Sequence, residues 1–252
     1  MPSTTSRKPA SAGPAAASVL GHGELGTSLL FVFPLFLVYQ VGVIFSPVSN
    51  GVDFVTRNLF ALVGHDRTHY LLLQGGLAAA FVVLILWLRG KKKLEPRRFL
   101  PMVLEATIVA LTLGTLIVFV MTRILHVDPS LAAGRPSLGV PEVGAAQGIM
   151  LSFGAGVHEE LVFRLGVLAG GAALVKAAGA PHGAAMAIMF VVSSALFSAV
   201  HHLGSLGDPW ALGVFTYRTL AGLVFATIFY FRSLAHATYT PALYDVYVMV
   251  LH

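Results

Sequence analysis

Apolar runs of bilayer length follow one another along this chain, and that repetition constrains its fold more than any other feature. A helix crossing the ~30 Å hydrocarbon core needs roughly 20 apolar residues. Inside lipid, backbone polar groups are satisfied only within helices or closed barrels. Runs of this length lie at 27–45, 70–88, 99–121, 184–202, 211–231 and roughly 234–251, with another starting near Gln147. The expected fold is therefore all-α: a polytopic transmembrane helical bundle of seven spans, the first kinked at Pro34. Residues 165–180, LGVLAGGAALVKAAGA, supply a short extra helix in the alternative count of eight. Composition agrees. The chain is 56% hydrophobic and 11% charged, where soluble domains hold about 25% charged residues. It has no cysteine, which excludes disulfides, thiolate zinc sites and cysteine nucleophiles.

The net charge of +5 is concentrated in short segments. RGKKKLEPRR (89–98) carries six Lys/Arg, and Arg7 and Lys8 precede the first span. Such residues stay on the cytoplasmic side, so the N-terminus is expected in the cytoplasm, with Lys176 and Arg232 facing the same way. No long basic face exists, so nucleic acid is not an expected partner. The chain divides into a flexible cytoplasmic tail (1–20), N-terminal transmembrane helices (21–145) and a helical core (146–252).

Within this apolar background GAGVHEELVFRLGVLAG (155–171) carries three charges. Each costs about 2.5–3.5 kcal/mol at a bilayer centre, so they must be paired or line a wet cavity. On a helix Glu160 and Arg164 are i, i+4 and share a face. Glu159 points about 100° away from Glu160. An internal ion pair that fixes helix packing accounts for Glu160 and Arg164 but leaves Glu159 unexplained. The string HEELV does not make a zincin site, because the second histidine of that motif is Val162 here; no metal and no cofactor is expected. A second polar group lies in ALFSAVHHLGSLGD (195–208), where Phe197 and His201 are four apart. A carboxylate with an imidazole suffices for general acid–base chemistry on a bound water. Tyr217 and Arg218 read as interfacial, and Glu105 as a solvated residue near the cytoplasmic surface.

These residues resemble a known family. EELVFR (159–164) fits the EExxxR motif, and FSAVH (197–201) the FxxxH motif, of the CPBP (CAAX protease and bacteriocin-processing, Abi) family of glutamic intramembrane endopeptidases. The glycine-bearing segment 217–234 is similar to the helix before that family's third motif, so the resemblance spans roughly 146–250. It implies that Glu159 is the base, that Glu160 and Arg164 support it, and that His201 positions the water. It also implies glutamate-activated water rather than a metal. Catalysis would sit in a conical cavity near the membrane surface, with membrane lipid around it and a membrane-anchored protein or peptide as substrate. The third motif departs from the pattern. In LAHATYTPALYDVYV (234–248) one register places Asp245 in the acidic position with Pro241 in place of histidine; the other uses His236 and leaves Thr240 in the acidic position. Either His236 or Asp245 is the third partner, with an oxyanion or supporting role.

With seven spans, His201 falls near the outer face, Glu159 near mid-depth and His236 near the inner face, which one cavity does not easily join. An extra crossing over 165–180 would invert the last three spans. The expected setting is a bacterial cytoplasmic (inner) membrane. The expected substrate is a prenylated tail, a peptide leader or a C-terminal sorting tail. A proton-coupled transporter and a non-catalytic membrane scaffold are the alternative functions.

Overall fold

A computed structural model describes residues 25–45, 67–91, 94–128, 144–203 and 209–250. The tail at 1–20 and most of the inter-span segments 46–69 and 122–146 lie outside the described residues. The described elements are all helical: α1 (Leu25–Phe45), α2 (Arg67–Lys91), α3 (Phe99–Val120), α4 (Ala145–Glu160), α5 (Gly171–Ala177), α6 (His182–Val200), α7 (Leu212–Phe231) and α8 (Leu234–Val250). A π-helical stretch, Leu161–Gly170, joins α4 to α5 without a break. The predicted span boundaries agree with these helices to within about three residues.

α1, α6, α7 and the segment Pro96–Leu125 are long and apolar enough to cross a membrane, and α2 holds a shorter apolar run, Leu71–Trp87. The protein is a multi-pass membrane protein. The two remaining long elements, α4 with its extension and α8, carry the polar groups described below.

Packing follows membrane logic, in which both faces of a helix are apolar and size decides which is buried. In α3 the buried residues are Met102, Ala106, Ala110, Leu113 and Ile117, while Leu100, Leu104, Ile108 and Leu111 are exposed on the opposite face. α6 presents three faces. Met189, Ser193, Phe197 and His201, four apart, turn towards the π stretch and its flanks. Phe190, Ser194 and Ser198 turn towards α7, where they meet Tyr230, Gly222 and Phe215. Ile188, Val191, Val192 and Leu196 remain on the outside.

The expected extra helix at 165–180 is not a separate crossing. Ala145 to Ala177 is one continuous rod whose α-helical parts alone, 16 and 7 residues, span roughly 35 Å at 1.5 Å per residue, which already exceeds the bilayer core. The chain turns only at Ala178–Pro181, where Gly179 adopts φ 99°. α6 then returns antiparallel along the second half of the rod. Gly171 lies against Met189, Phe163 against Phe197, and Glu159 against His201. The turn thus fixes which residues of the two arms share a level, and His201 arrives beside Glu159.

The first half of the rod is clamped between α1 and α8 by two glycines. Gly154 faces the ring of Tyr39. At Gly156 a Cβ would stand 2.7 Å from the Thr238 carbonyl oxygen and 2.7 Å from Ala242 Cβ. Neither neighbour is the flexible end of a side chain, so the helices must part if a methyl is added. Overpacking of this kind costs about 1–3 kcal/mol, against up to ~1 kcal/mol gained from helix propensity. Gly156→Ala is expected to lower the apparent Tm in detergent, whereas Gly76→Ala, with open space at its Cβ, should leave it unchanged or raise it. Equal melting of the two variants would contradict a tight α4–α8 contact.

Candidate active site

The diglutamate occupies the last two positions of α4, immediately before the helix widens. π segments recur at functional sites, and here the widened turns carry Arg164 into the bundle. Glu160 and Arg164 are fully buried, and Arg164 Nε lies 3.0 Å from Glu160 Oε2. This is a close ion pair whose N–H direction is poorly aligned, so neither Glu160 oxygen receives a well-directed hydrogen bond among the described residues. The guanidinium also donates from Nη1 to Ser193 Oγ at 3.0 Å, and that hydroxyl donates to the Phe163 carbonyl at 2.7 Å. Its carbon lies 5.3 Å from the centroid of the Phe197 ring and 6.0 Å from that of Phe225, within cation–π range. Aromatic rings and one hydroxyl therefore replace the water that an arginine normally keeps.

Glu159 turns away from this pair, as the helix angle requires. It is 6% exposed, and its Oε1 stands 3.4 Å from His201 Nε2. The other imidazole nitrogen, Nδ1, is 2.7 Å from the Phe197 carbonyl. A carbonyl only accepts, so Nδ1 carries the proton. In the neutral ring Nε2 is then a lone pair facing a carboxylate. Two acceptors at this separation call for a proton or a donor between them. Phe197 holds this geometry twice, through its carbonyl and through its ring, whose centroid is 4.9 Å from that of His201.

The two candidates for the third partner lie on different faces of α8. Thr238 and Ala242 face Gly156 of α4, and Asp245 continues that stripe at i+7. Asp245 is within reach of the charges of Glu159 and Arg218. Its neighbour Tyr244 shares a 2.6 Å hydrogen bond with Tyr217 of α7. His236 lies nearly opposite on the helix. It pairs with Ser233 Oγ at 2.8 Å and faces Glu105 at 3.7 Å, and Glu105 also binds Arg232 at 2.6 Å. α8 runs unbroken through Pro241, so the proline does not swing the two faces together. His236 instead lines a second polar region, a cavity of about 240 Å³ with Thr27, Ser28, Glu95, Arg98 and Arg232. His158, the half-zincin residue, is 2.8 Å through Nδ1 from the Gly154 carbonyl and packs against Tyr39.

Sequence reasoning missed Ser193, although it sits eight residues before His201 on the same helix face. It read Tyr217 as interfacial, and the structure gives that hydroxyl a partner on α8. Glu105, read as solvated, is half of an ion pair.

These features define a polytopic helical membrane protein with a carboxylate–imidazole pair beside a fully buried carboxylate–guanidinium pair. Residues 141–247 match the family model described as type II CAAX prenyl endopeptidase Rce1-like. That stretch contains Glu159, Glu160, Arg164, His201 and Asp245, and its similarity is to the protease family whose motifs EELVFR and FSAVH carry. No curated protein and no solved structure matches the chain.

Proposed function

We propose that the chain is an intramembrane endopeptidase in which Glu159 activates water without a metal. The observation that carries this reading is the 3.4 Å approach of Glu159 Oε1 to His201 Nε2, with the imidazole locked from behind by Phe197. A water lying to one side of the line joining the two acceptors, within hydrogen-bond reach of both, can offer one hydrogen to each. Glu159 takes a proton as the oxygen attacks a peptide carbonyl carbon. The carbon–nitrogen bond then breaks, and the proton passes to the departing amine. Arg164 pairs with Glu160 and holds it on a different face of the helix from Glu159, so Glu160 is not placed to take that proton. Asp245, on the α4-facing stripe of α8, supports the site from the third side.

The substrate is the C-terminal tail or leader of a membrane or exported protein, and the setting is a bacterial cytoplasmic membrane with the N-terminus inside. Quantitative proteomics of membrane-protein termini tests this, comparing cells that carry the wild-type chain with cells that carry Glu159→Gln. New termini that depend on Glu159 are expected; identical termini in the two strains would reject the proteolytic reading. One observation favours a non-catalytic scaffold instead, namely Pro241 where the family's third motif has histidine. In that case Glu159→Gln would complement a deletion.

The two faces of α8 yield a further expectation. Asp245→Asn should slow cleavage by about 10²-fold, the scale of one positioned proton-transfer or hydrogen-bonding group. His236→Ala should leave the rate within about threefold of wild type while weakening the Glu105–Arg232 end, a scale consistent with an exposed pair of ~0–1 kcal/mol. Steady-state cleavage in proteoliposomes distinguishes them, and the reverse ranking would assign the third partner to His236.

A further inference from the structure

The two polar regions lie at opposite ends of the bundle, and the chain marks which end is which. At one end are the basic segment 89–98, Arg232, and Lys176 at the close of α5. The cavity lined by Arg98 and Arg232 is completed there by Thr27 and Ser28 from the first turn of α1. Thr27 Oγ1 accepts a hydrogen bond from the Glu95 backbone N–H at 3.3 Å, which ties the start of α1 to the basic segment. Lysines and arginines in short connections stay on the cytoplasmic side, so this end is the inner one.

Glu159 itself is near the middle of the rod, and the residues that surround it lie towards the other end of their own helices. His201 follows the last residue of α6, a helix that begins at His182 beside the Lys176 turn. Tyr217 is in the second turn of α7, whose far end leads to Arg232. Its partner Tyr244 and the adjacent Asp245 are in the outer half of α8, which starts two residues after Arg232. The Tyr217 and Tyr244 hydroxyls both meet Gly114, late in α3, which starts next to Arg98. Only an extra crossing between Leu165 and Ala180 would turn α6, α7 and α8 over, and the continuous rod removes that possibility. Just past His201, Leu203 is 69% exposed, which makes it an accessible position for a reporter beside the site.

We infer that the Glu159–His201 site serves the non-cytoplasmic face, and that its substrate is a peptide segment already translocated across the membrane rather than a cytoplasmic tail. This rests on the proteolytic reading above. Because the chain has no cysteine, single cysteines report the sidedness directly. Leu203→Cys should react with a membrane-impermeant maleimide in intact cells, and Arg97→Cys only after permeabilisation. Reaction of Arg97→Cys alone in intact cells would overturn the inference. The second arm uses single-span reporters carrying a varied juxtamembrane segment on either the outer or the inner face. Glu159-dependent cleavage of the outer set alone is expected. Glu159-dependent cleavage of the inner set overturns the sidedness and leaves the protease reading standing. Cleavage of neither set, with labelling as expected, overturns the protease reading and the substrate with it.

Discussion

Glu159→Gln is expected to reduce peptide cleavage by about 10²–10⁴-fold, the range for removing a positioned general base, while the bundle stays folded. The amide is isosteric and cannot take the water's proton. It also removes a negative charge beside Glu160, so stability should not fall. His201→Ala is expected to produce a loss of the same order by a different route, since it takes away the second acceptor that orients the water. If the two groups act on one water, their effects are not additive, and the double variant should be little slower than the worse single one. Cleavage rates in proteoliposomes, set beside apparent Tm in detergent, decide the matter. Full activity in either single variant, or losses that multiply in the double, would sink the shared-water arrangement.

Arg164→Met is expected to have the largest effect on stability. It leaves the Glu160 carboxylate fully buried with no cation, and breaking a buried pair from one side costs about 3–5 kcal/mol. Total stabilities are about 5–15 kcal/mol, so this approaches unfolding. The change also empties the space between the Phe197 and Phe225 rings and frees Ser193, which now receives the guanidinium at 3.0 Å. The double variant Glu160→Met with Arg164→Met should recover much of the loss, because an apolar pair of similar volume carries no desolvation penalty. Near-wild-type melting of the single variant, or a double variant that loses the sum of two separate costs, would show that the ion pair is not what holds this part of the bundle. A folded but slow double variant is the expected functional result, since the Phe197 ring that supports His201 rests against Arg164.

Short-range spacing made part of the site legible. Glu160 and Arg164 pair because residues four apart on a helix are neighbours, and Glu159 is left over because its neighbour on the chain points about 100° away. Phe197 and His201 share a face for the same reason. Each apolar run of bilayer length also announces a helix, since lipid permits little else. None of this depends on what packs against what.

Tertiary structure decided the relations between helices. Whether His201 can meet Glu159 depends on the length of the rod and the position of its turn at Ala178–Pro181, and residues 165–180 read equally well as an extra crossing. The helix continues unbroken through the π stretch after Glu160 and runs past the thickness of the bilayer, which local propensity does not reveal. The choice between His236 and Asp245 was likewise closed to sequence, because both are plausible partners by type. Gly156 settles which face of α8 meets the rod, since only a residue without a Cβ permits the Thr238 backbone to come so near. That contact puts Asp245 on the face of α8 turned to the rod and leaves His236 on the opposite face, beside Glu105. The helices and the charges they carry follow from the sequence through lipid solvation and the α-helical repeat, while the meeting of charges from different helices follows from packing, because steric fit between helices acts over residues far apart in the chain.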